Sequence, residues 1–228
     1  MKAPIPANDR ERVEALKEYN ILDTEPEQNF DDITRLAAYI CGTPIALITM
    51  VDRDRQWFKS KVGLAAMGSP RDHAFCAHAI MESRLMEVEN AEEDARFASN
   101  PLVTLDPYIR FYAGMPLLTS RGHALGTLCV IDNKPGKLRE DQSLALKALG
   151  RLVVTELELR RVSRALAKAS ENLQNLAGLI PICTHCKGIL DDRGTWQKLE
   201  AYMKTHTDAK FAHGICPACA PKVLPTVA

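Results

Sequence analysis

Ile45-Ala-Leu-Ile-Thr-Met-Val51, then Asp52-Arg-Asp-Arg55, then Gln56-Trp-Phe-Lys-Ser-Lys-Val62 is the stretch that decides the fold of this chain. The first segment is a nearly continuous apolar run, too short for a helix and bounded by turn formers, so it reads as a strand buried on both faces. The charged tetrapeptide makes a hairpin turn into a second strand over 56–62. Towards the N-terminus, Gly42-Thr-Pro44 stops a helix over 27–41, in which Phe30, Ile33, Leu36, Ala37 and Ile40 recur at helical spacing. Asp23-Thr-Glu-Pro26 is the turn before that helix, and residues 9–19 read as a shorter one with Val13, Leu16 and Tyr19 on one side. Towards the C-terminus, 70–83 reads as helix, 85–89 as a short strand, and 90–107 as loop punctuated by Pro101 and Pro107. A second strand pair, 109–118 and 123–132, is joined by Thr119-Ser-Arg-Gly122. Helices at both ends of a mostly antiparallel sheet make an α+β domain.

A long helix follows, from about Arg139 toward Leu179. Within it Leu152, Leu159, Leu166, Leu173 and Ile180 recur every seven residues, and Thr155, Val162, Ala169 and Leu176 follow the first four by three. That is an a/d seam sustained for about four heptads, the signature of a coiled coil. The first half of the helix packs on its own sheet, and beyond about residue 160 it outruns that sheet. The seam therefore predicts a parallel homodimer, softened by Thr155 and Ala169.

Cys183-Thr-His-Cys186 and Cys216-Pro-Ala-Cys219 are two CxxC pairs separated by 29 residues. A two-residue spacer lets a tight turn point two thiolates at one ion, and two such pairs complete the four-cysteine shell of a closed structural zinc site. Such a site holds a fold together and leaves no position for substrate. The intervening loop holds a helix-like stretch from Trp196 to Lys204 that fills the extra length. Disulfides and a redox CxxC are the rival readings. Seven cysteines is an odd number, no signal-peptide stretch follows Met1-Lys2-Ala3-Pro4, and no apolar run approaches the ~18 residues of a membrane span. The chain thus reads as cytoplasmic, where disulfides are disfavoured, and a thioredoxin-like pair would need a βαβ context. His185 and His213 lie near the cysteines as substitute ligands or local neighbours.

The 228 residues carry 29 Lys+Arg against 29 Asp+Glu, so no global field draws in nucleic acid or an anionic membrane. From Pro181 onward there are six Lys/Arg and four Asp/Glu, which is not the basic footprint of a nucleic-acid-binding ribbon. Hydrophobic residues make up 46% of the chain, enough for a real core. No acid/base dyad stands out among the scattered carboxylates, and the reading is of a non-enzymatic protein.

The first 160 or so residues resemble a GAF domain, of the subgroup common in bacterial sensor kinases and diguanylate cyclases. The resemblance is carried, in order, by Tyr19-Asn-Ile-Leu-Asp-Thr24, Pro44-Ile-Ala-Leu-Ile-Thr49, Val51-Asp-Arg-Asp-Arg-Gln-Trp-Phe-Lys-Ser60 and Arg71-Asp-His-Ala-Phe-Cys-Ala-His-Ala79. Asn100-Pro-Leu-Val103, Ile109-Arg-Phe-Tyr-Ala-Gly114 and Leu125-Gly-Thr-Leu-Cys-Val-Ile-Asp132 continue it. It implies a six-stranded antiparallel sheet with helices behind and a small-molecule pocket in front. Leu179-Ile-Pro-Ile-Cys-Thr-His-Cys-Lys187, Asp191-Asp-Arg-Gly-Thr-Trp196 and His213-Gly-Ile-Cys-Pro-Ala-Cys219 resemble a short cysteine-rich extension found on bacterial sensory domains. The expected organisation is a GAF-like sensory domain over 1–160, a helical linker over 139–180 that overlaps its end, and a four-cysteine zinc module over 181–224. The 48 residues from Pro181 onward are too few for a kinase, cyclase or phosphodiesterase domain.

By that resemblance, Trp57, Phe58, Phe111 and Tyr112 are the candidate pocket or core aromatics, and Arg71, Asp72, Cys76, His78 and Arg110 the candidate polar contacts. Bilin-binding members usually carry histidine directly after the attaching cysteine, whereas this chain has Cys76-Ala-His78, which counts against a chromophore. The signature of cyclic-nucleotide-binding members is absent. The expected function is a dimeric small-molecule sensor that signals through its helix to a zinc-stabilised tail and an unidentified signalling partner. The alternative is a thiol redox sensor or reductase acting through Cys76, paired with Cys129 or Cys41.

Overall fold

The structure is a computed structural model that describes residues 2–177, 180–191, 193–208 and 210–220, with the side chains of 172–177 outside the description. The chain divides into two compact units, Met1–Leu166 and Ala167–Ala228.

In the first unit, helices α1 (Asp9–Glu18) and α2 (Gln28–Cys41) precede strands β1 (Ile45–Val51), β2 (Arg55–Val62) and β3 (Gly68–Pro70). A 3-10 turn (Arg71–His73), α3 (Phe75–Ala79), β4 (Met86–Val88) and α4 (Pro101–Thr104) come next, then β5 (Phe111–Leu118) and β6 (Ala124–Asp132). Helix α5 (Glu140–Ala177) runs across the division between the units. The six strands form one antiparallel sheet in the order β3-β2-β1-β6-β5-β4.

Strand β1 sits between β2 and β6 and is buried along its whole length, which is why it contains no alternation. Its turn is closed by Asp52 N–H donating to the Arg55 carbonyl at 2.8 Å. A register shift between Ile48 and Thr49 lets β1 pair Met50 with Trp57 while Ile48 pairs with Ser60.

Each face of the sheet has its own apolar cluster. Behind it, Ile48, Met50, Trp57, Phe111, Leu128 and Val130 pack on Leu16 of α1, Phe30 and Ile33 of α2, and Leu146, Val153 and Leu157 of α5. In front, Leu47, Phe58, Tyr112, Cys129 and Ile131 pack on Phe75 and Cys76 of α3 and on Phe97. Gly126 lies where β6 crosses β1, and a Cβ there would collide with the Thr49 carbonyl.

Three local expectations are corrected. The helix expected over 70–83 is reduced to the 3-10 turn and five residues of α3. Ala74 between them is extended (φ −77°, ψ 121°), and the His73 carbonyl is captured by Asn100 Nδ2 at 2.9 Å. After Ala79 the backbone closes i to i+3 bonds, Met81 to His78 and Glu82 to Ala79, which end the helix. In α2 the buried side chains are Phe30, Ile33, Thr34 and Ala37, while Leu36 is 48% exposed. In the second unit the stretch from Trp196 to Lys204 begins as strand: β7 (Ile189–Leu190) pairs with β8 (Trp196–Gln197), and α6 (Leu199–His206) follows.

Helix α5 is two-faced. Leu146, Val153 and Leu157, which are not seam positions, face the sheet, whereas the seam residues Leu152, Leu159, Val162 and Leu166 are exposed. Leu173 and Leu176 belong to the side chains outside the description, and Leu179 and residues 221–224 lie outside the described residues.

No helix among the described residues is long and apolar enough to cross a membrane.

Candidate functional site

A cavity of ≈ 240 Å³ opens on the front face of the sheet. Its floor is Leu47 of β1, Phe58 of β2, Tyr112 of β5 and Ile131 of β6. One wall is Ala74, Phe75 and Cys76 at the start of α3, and the rim is Leu64–Ala66, Gly68–Ser69, Leu102, Asp106, Pro107 and Ile109. Phe75 is the wedge that holds α3 against the sheet: its ring stacks on Phe97 at 3.9 Å and meets Tyr112 at 5.2 Å. Such aromatic pairs add about 0.5–1.5 kcal/mol each beyond burial.

Of the nine candidate pocket residues, three line this cavity: Phe58, Cys76 and Tyr112. Trp57 and Phe111 are each one residue from a lining residue on a strand, and the period of two sends them to the cluster behind the sheet. Arg71 is buried and chelated by Asp9, with Nη1 to Oδ2 at 2.7 Å and Nη2 to Oδ1 at 2.8 Å, and it also donates to the carbonyls of Asp52 and Arg53. Asp72 lies on the surface, 2.9 Å from Lys2 Nζ. His78 packs edge-on against Phe97 at 4.8 Å, and burial, aided by the nearby Arg96 charge, holds its pKa below the ordinary imidazole value. Arg110 donates to the carbonyls of Val103 and Ile109 and pairs with Glu92 at 2.7 Å. None of these four polar residues lines the cavity; Arg71 and Arg110 instead tie neighbouring backbone together through their bonds to carbonyls.

Most lining residues escaped the sequence reading, among them a polar pair on β2 and β3. Gln56 and Ser69 are cross-strand partners in the β2–β3 pairing. Gln56 Oε1 and Ser69 Oγ are both buried without a hydrogen-bond partner. Leaving such an atom unsatisfied costs about 1–3 kcal/mol. Gln56 shares the face of Phe58 two residues on, and that parity was the available signal; nothing local marked Gly68–Pro70 as a strand.

Cys76 also belongs to a buried polar cluster. Its Sγ is 3.8 Å from Cys129 Sγ and accepts a hydrogen bond from Tyr112 Oη at 3.3 Å. Thr49 and Thr127 hydroxyls stand beside each other at 3.2 Å. Burial raises both thiols, but the hydroxyl donors and the neighbouring thiol outweigh it at Cys76, which is lowered, while Cys129 stays well raised. Cys41 lies against the opposite cluster, where burial pushes its thiol up to about 11.

In the second unit the first CxxC forms a tight turn. Cys186 N–H lies 3.5 Å from Cys183 Sγ, Lys187 N–H donates to the Cys183 carbonyl at 3.0 Å, and Cys183 N–H donates to Gly188 at 2.8 Å. In the second, Cys219 and Ala220 N–H both donate to the Cys216 carbonyl at 2.9 Å. Backbone N–H groups of its own turn lower the Cys183 thiol, and the Cys219 thiol together with backbone N–H groups lowers that of Cys216. Among the described residues no group of three or more His, Cys, Asp and Glu side chains is gathered as a metal site.

The fold matches solved structures at low sequence identity. The GAF domain of a phosphoenolpyruvate-protein phosphotransferase from Acinetobacter superposes with a TM-score of 0.51 at 15% identity, covering 69% of this chain and 97% of that one. Free methionine-R-sulfoxide reductase from Neisseria meningitidis does so with a TM-score of 0.50 at 17% identity, covering 72% and 99%. At these identities the likeness is one of fold. In sequence, the chain is 40% identical over 159 residues to a cyclic di-GMP phosphodiesterase of Pseudomonas aeruginosa, a match covering 69% of this chain and 27% of that protein's length. The sequence model of the GAF domain matches residues 25–157, more than half of the chain. With that match lying over the six-stranded sheet and its frontal cavity, the chain belongs to the GAF domain family.

Proposed function

We propose that this chain is a non-enzymatic, cytoplasmic signalling module whose GAF cavity binds a small molecule, within the subgroup found in bacterial sensor kinases and diguanylate cyclases. The observation that carries the reading is the front-face cavity, walled by Leu47, Phe58 and Tyr112 and edged by a few polar groups, the composition of a ligand pocket. Ligand binding is relayed along α5 in a parallel homodimer. Leu152, Leu159, Val162 and Leu166 support this, because they leave an apolar stripe exposed on the helix. The output is a signalling partner engaged through the tail. Hydrolysis of cyclic di-GMP belongs to the relative named for it, and a nucleotide-signalling enzyme of that kind is the class of partner we favour.

We assign Cys183, Cys186, Cys216 and Cys219 to one structural zinc ion. The donor chemistry suits it: four thiols, with those of Cys183 and Cys216 already lowered toward the thiolate form that zinc takes. Trp196, Leu199, Phe211 and Ile215 are all more than 40% exposed, so the tail has little core of its own. A metal would supply the folding energy that so small a unit cannot.

The test of the sensor reading is a thermal-shift titration of the full chain with fractionated small-molecule extract, beside the variant Ala66→Trp. Ala66 is exposed on the cavity rim, so the indole can block the mouth without entering the core. A fraction that raises the melting temperature of the wild type and leaves the variant unmoved supports the pocket. Equal shifts in both proteins refute it.

A second reading is favoured by the 3.8 Å separation of Cys76 and Cys129. Here the pair is a peroxide sensor. Cys76 thiolate attacks hydrogen peroxide, one oxygen leaving as water and the other forming the sulfenic acid. The Cys129 thiol then attacks that sulfur, the second oxygen leaves as water, and a disulfide has formed with two electrons passed to the peroxide. Loss of two mass units after peroxide treatment, abolished by Cys76→Ser, would favour this reading; an unchanged mass rejects it.

A further inference from the structure

The cavity described above contains more information than its size. Among the described residues that line it, the one charged side chain is Asp106, and none is a lysine, arginine or histidine. An anionic ligand, and a phosphate above all, would need cationic or multiple N–H donors at such a site. It would instead meet a carboxylate at the rim. The polar demand of the cavity lies elsewhere, in the cross-strand pair Gln56 and Ser69.

Gln56 is 4% exposed, and its Oε1 has no partner; Ser69, its half-buried cross-strand partner, has a buried Oγ that also lacks one. Two adjacent polar groups with no bond to each other or to the surrounding protein are rare in a packed interior, and each calls for a partner from outside the chain. Turning the Gln56 amide over offers a donor in place of an acceptor. A hydroxyl, which both donates and accepts, therefore suits the amide–hydroxyl pair in either orientation. Apart from Asp106 and Cys76, the rest of the lining is mainly apolar: Leu47, Phe58, Leu64 and Ile109 with Phe75 and Tyr112.

We infer that the ligand of this cavity is a small, compact, mainly apolar molecule, neutral or cationic, whose hydroxyl or N–H end is held by Gln56 and Ser69, and that nucleotides and other anions are excluded. The inference rests on the pocket reading and names the ligand class of that pocket. It also separates this chain's input from the phosphate chemistry of its proposed partner: the cavity responds to a small organic molecule and not to the nucleotide signal.

Three probes that share a phenol ring and differ in charge test it on the full chain: 4-ethylphenol, tyramine and 4-hydroxyphenylacetate, with binding followed by ligand-observed saturation-transfer NMR and titration calorimetry. The neutral phenol and the cationic amine bind saturably, and the acid binds at least about tenfold more weakly, the effect of one charge-sensitive contact. Gln56→Leu weakens 4-ethylphenol by about tenfold while melting no lower than the wild type, because an unsatisfied buried amide has been replaced by a side chain of similar volume. If Gln56→Leu does not fold, Ser69→Ala on the facing strand reads the same pair. Binding of the acid as tightly as the phenol overturns the ligand class, as does undiminished binding by the variants. In either case binding itself keeps the pocket reading standing. Failure of all three probes also overturns the class, and the extract titration with Ala66→Trp then decides separately whether the pocket reading falls with it.

Discussion

Asp9→Ala is the substitution whose consequence follows most directly from the structure. Asp9 sits in the first turn of α1 and bonds two buried guanidiniums, Arg12 Nε at 2.8 Å and both Nη atoms of Arg71. The side chain of Arg12 is 1% exposed and that of Arg71 6%. Arg12 also donates to the carbonyls of Val51 and Ala124, so this one carboxylate ties α1, the end of β1, the start of β6 and the 3-10 turn together. Removing one partner of a buried ion pair costs about 3–5 kcal/mol, because the other charge is left uncompensated. In a domain of this size that lowers the melting temperature by roughly 6–20 °C.

The same carboxylate sets a pH dependence. Burial raises the pKa of Asp9, but its bonds to Arg71 and Arg12 outweigh burial and hold it below the ordinary value. A depressed folded-state pKa means that the stabilisation is fully present above the unfolded value of ~3.9 and is lost as the pH falls through the lower folded value. Urea unfolding followed by circular dichroism at neutral pH should show the full destabilisation, with the gap between wild type and variant narrowing below about pH 4. A neutral-pH loss under about 1 kcal/mol, the worth of a surface pair, would refute the argument.

Replacing Leu159 and Leu166 together by Glu puts charge into the exposed stripe of α5; sedimentation should shift from dimer to monomer while the far-ultraviolet spectrum of the sheet is kept, and an unchanged sedimentation coefficient would remove the helix from the dimer. Cys216→Ala should lower the zinc content measured by mass spectrometry from one per chain toward none and lose the signals of α6, with the melting of the GAF unit unmoved; unchanged zinc content would rule out the four-cysteine assignment.

The sheet was legible because its signal is local. Ile45–Val51 is buried on both faces, so its composition alone marks a central strand, and the two hairpins around it are closed by short polar turns. The helix over 70–83 was overcalled because Ala74–Ile80 is buried almost throughout and so shows density without period. The break at Ala74 is imposed by Asn100, 27 residues from His73. For the cavity, the strand period separates Phe58 from Trp57 and Tyr112 from Phe111, a distinction that naming all four as pocket candidates did not use. The fate of Arg71 was not legible, since its partner Asp9 lies 62 residues away and many surface carboxylates compete for it on paper. Ser69 was hidden for a related reason: β3 is three residues long, and its pairing is supplied by β2 rather than by any pattern of its own.

The central claim is that the GAF cavity holds a small molecule, and a native mass spectrum of freshly purified full-length protein tests it most directly. The account predicts a dimer with one zinc ion and one small-molecule mass per chain, the small-molecule mass disappearing in Ala66→Trp. A small-molecule mass retained in full by that variant, or a bare chain that no probe or extract fraction can load, would contradict it.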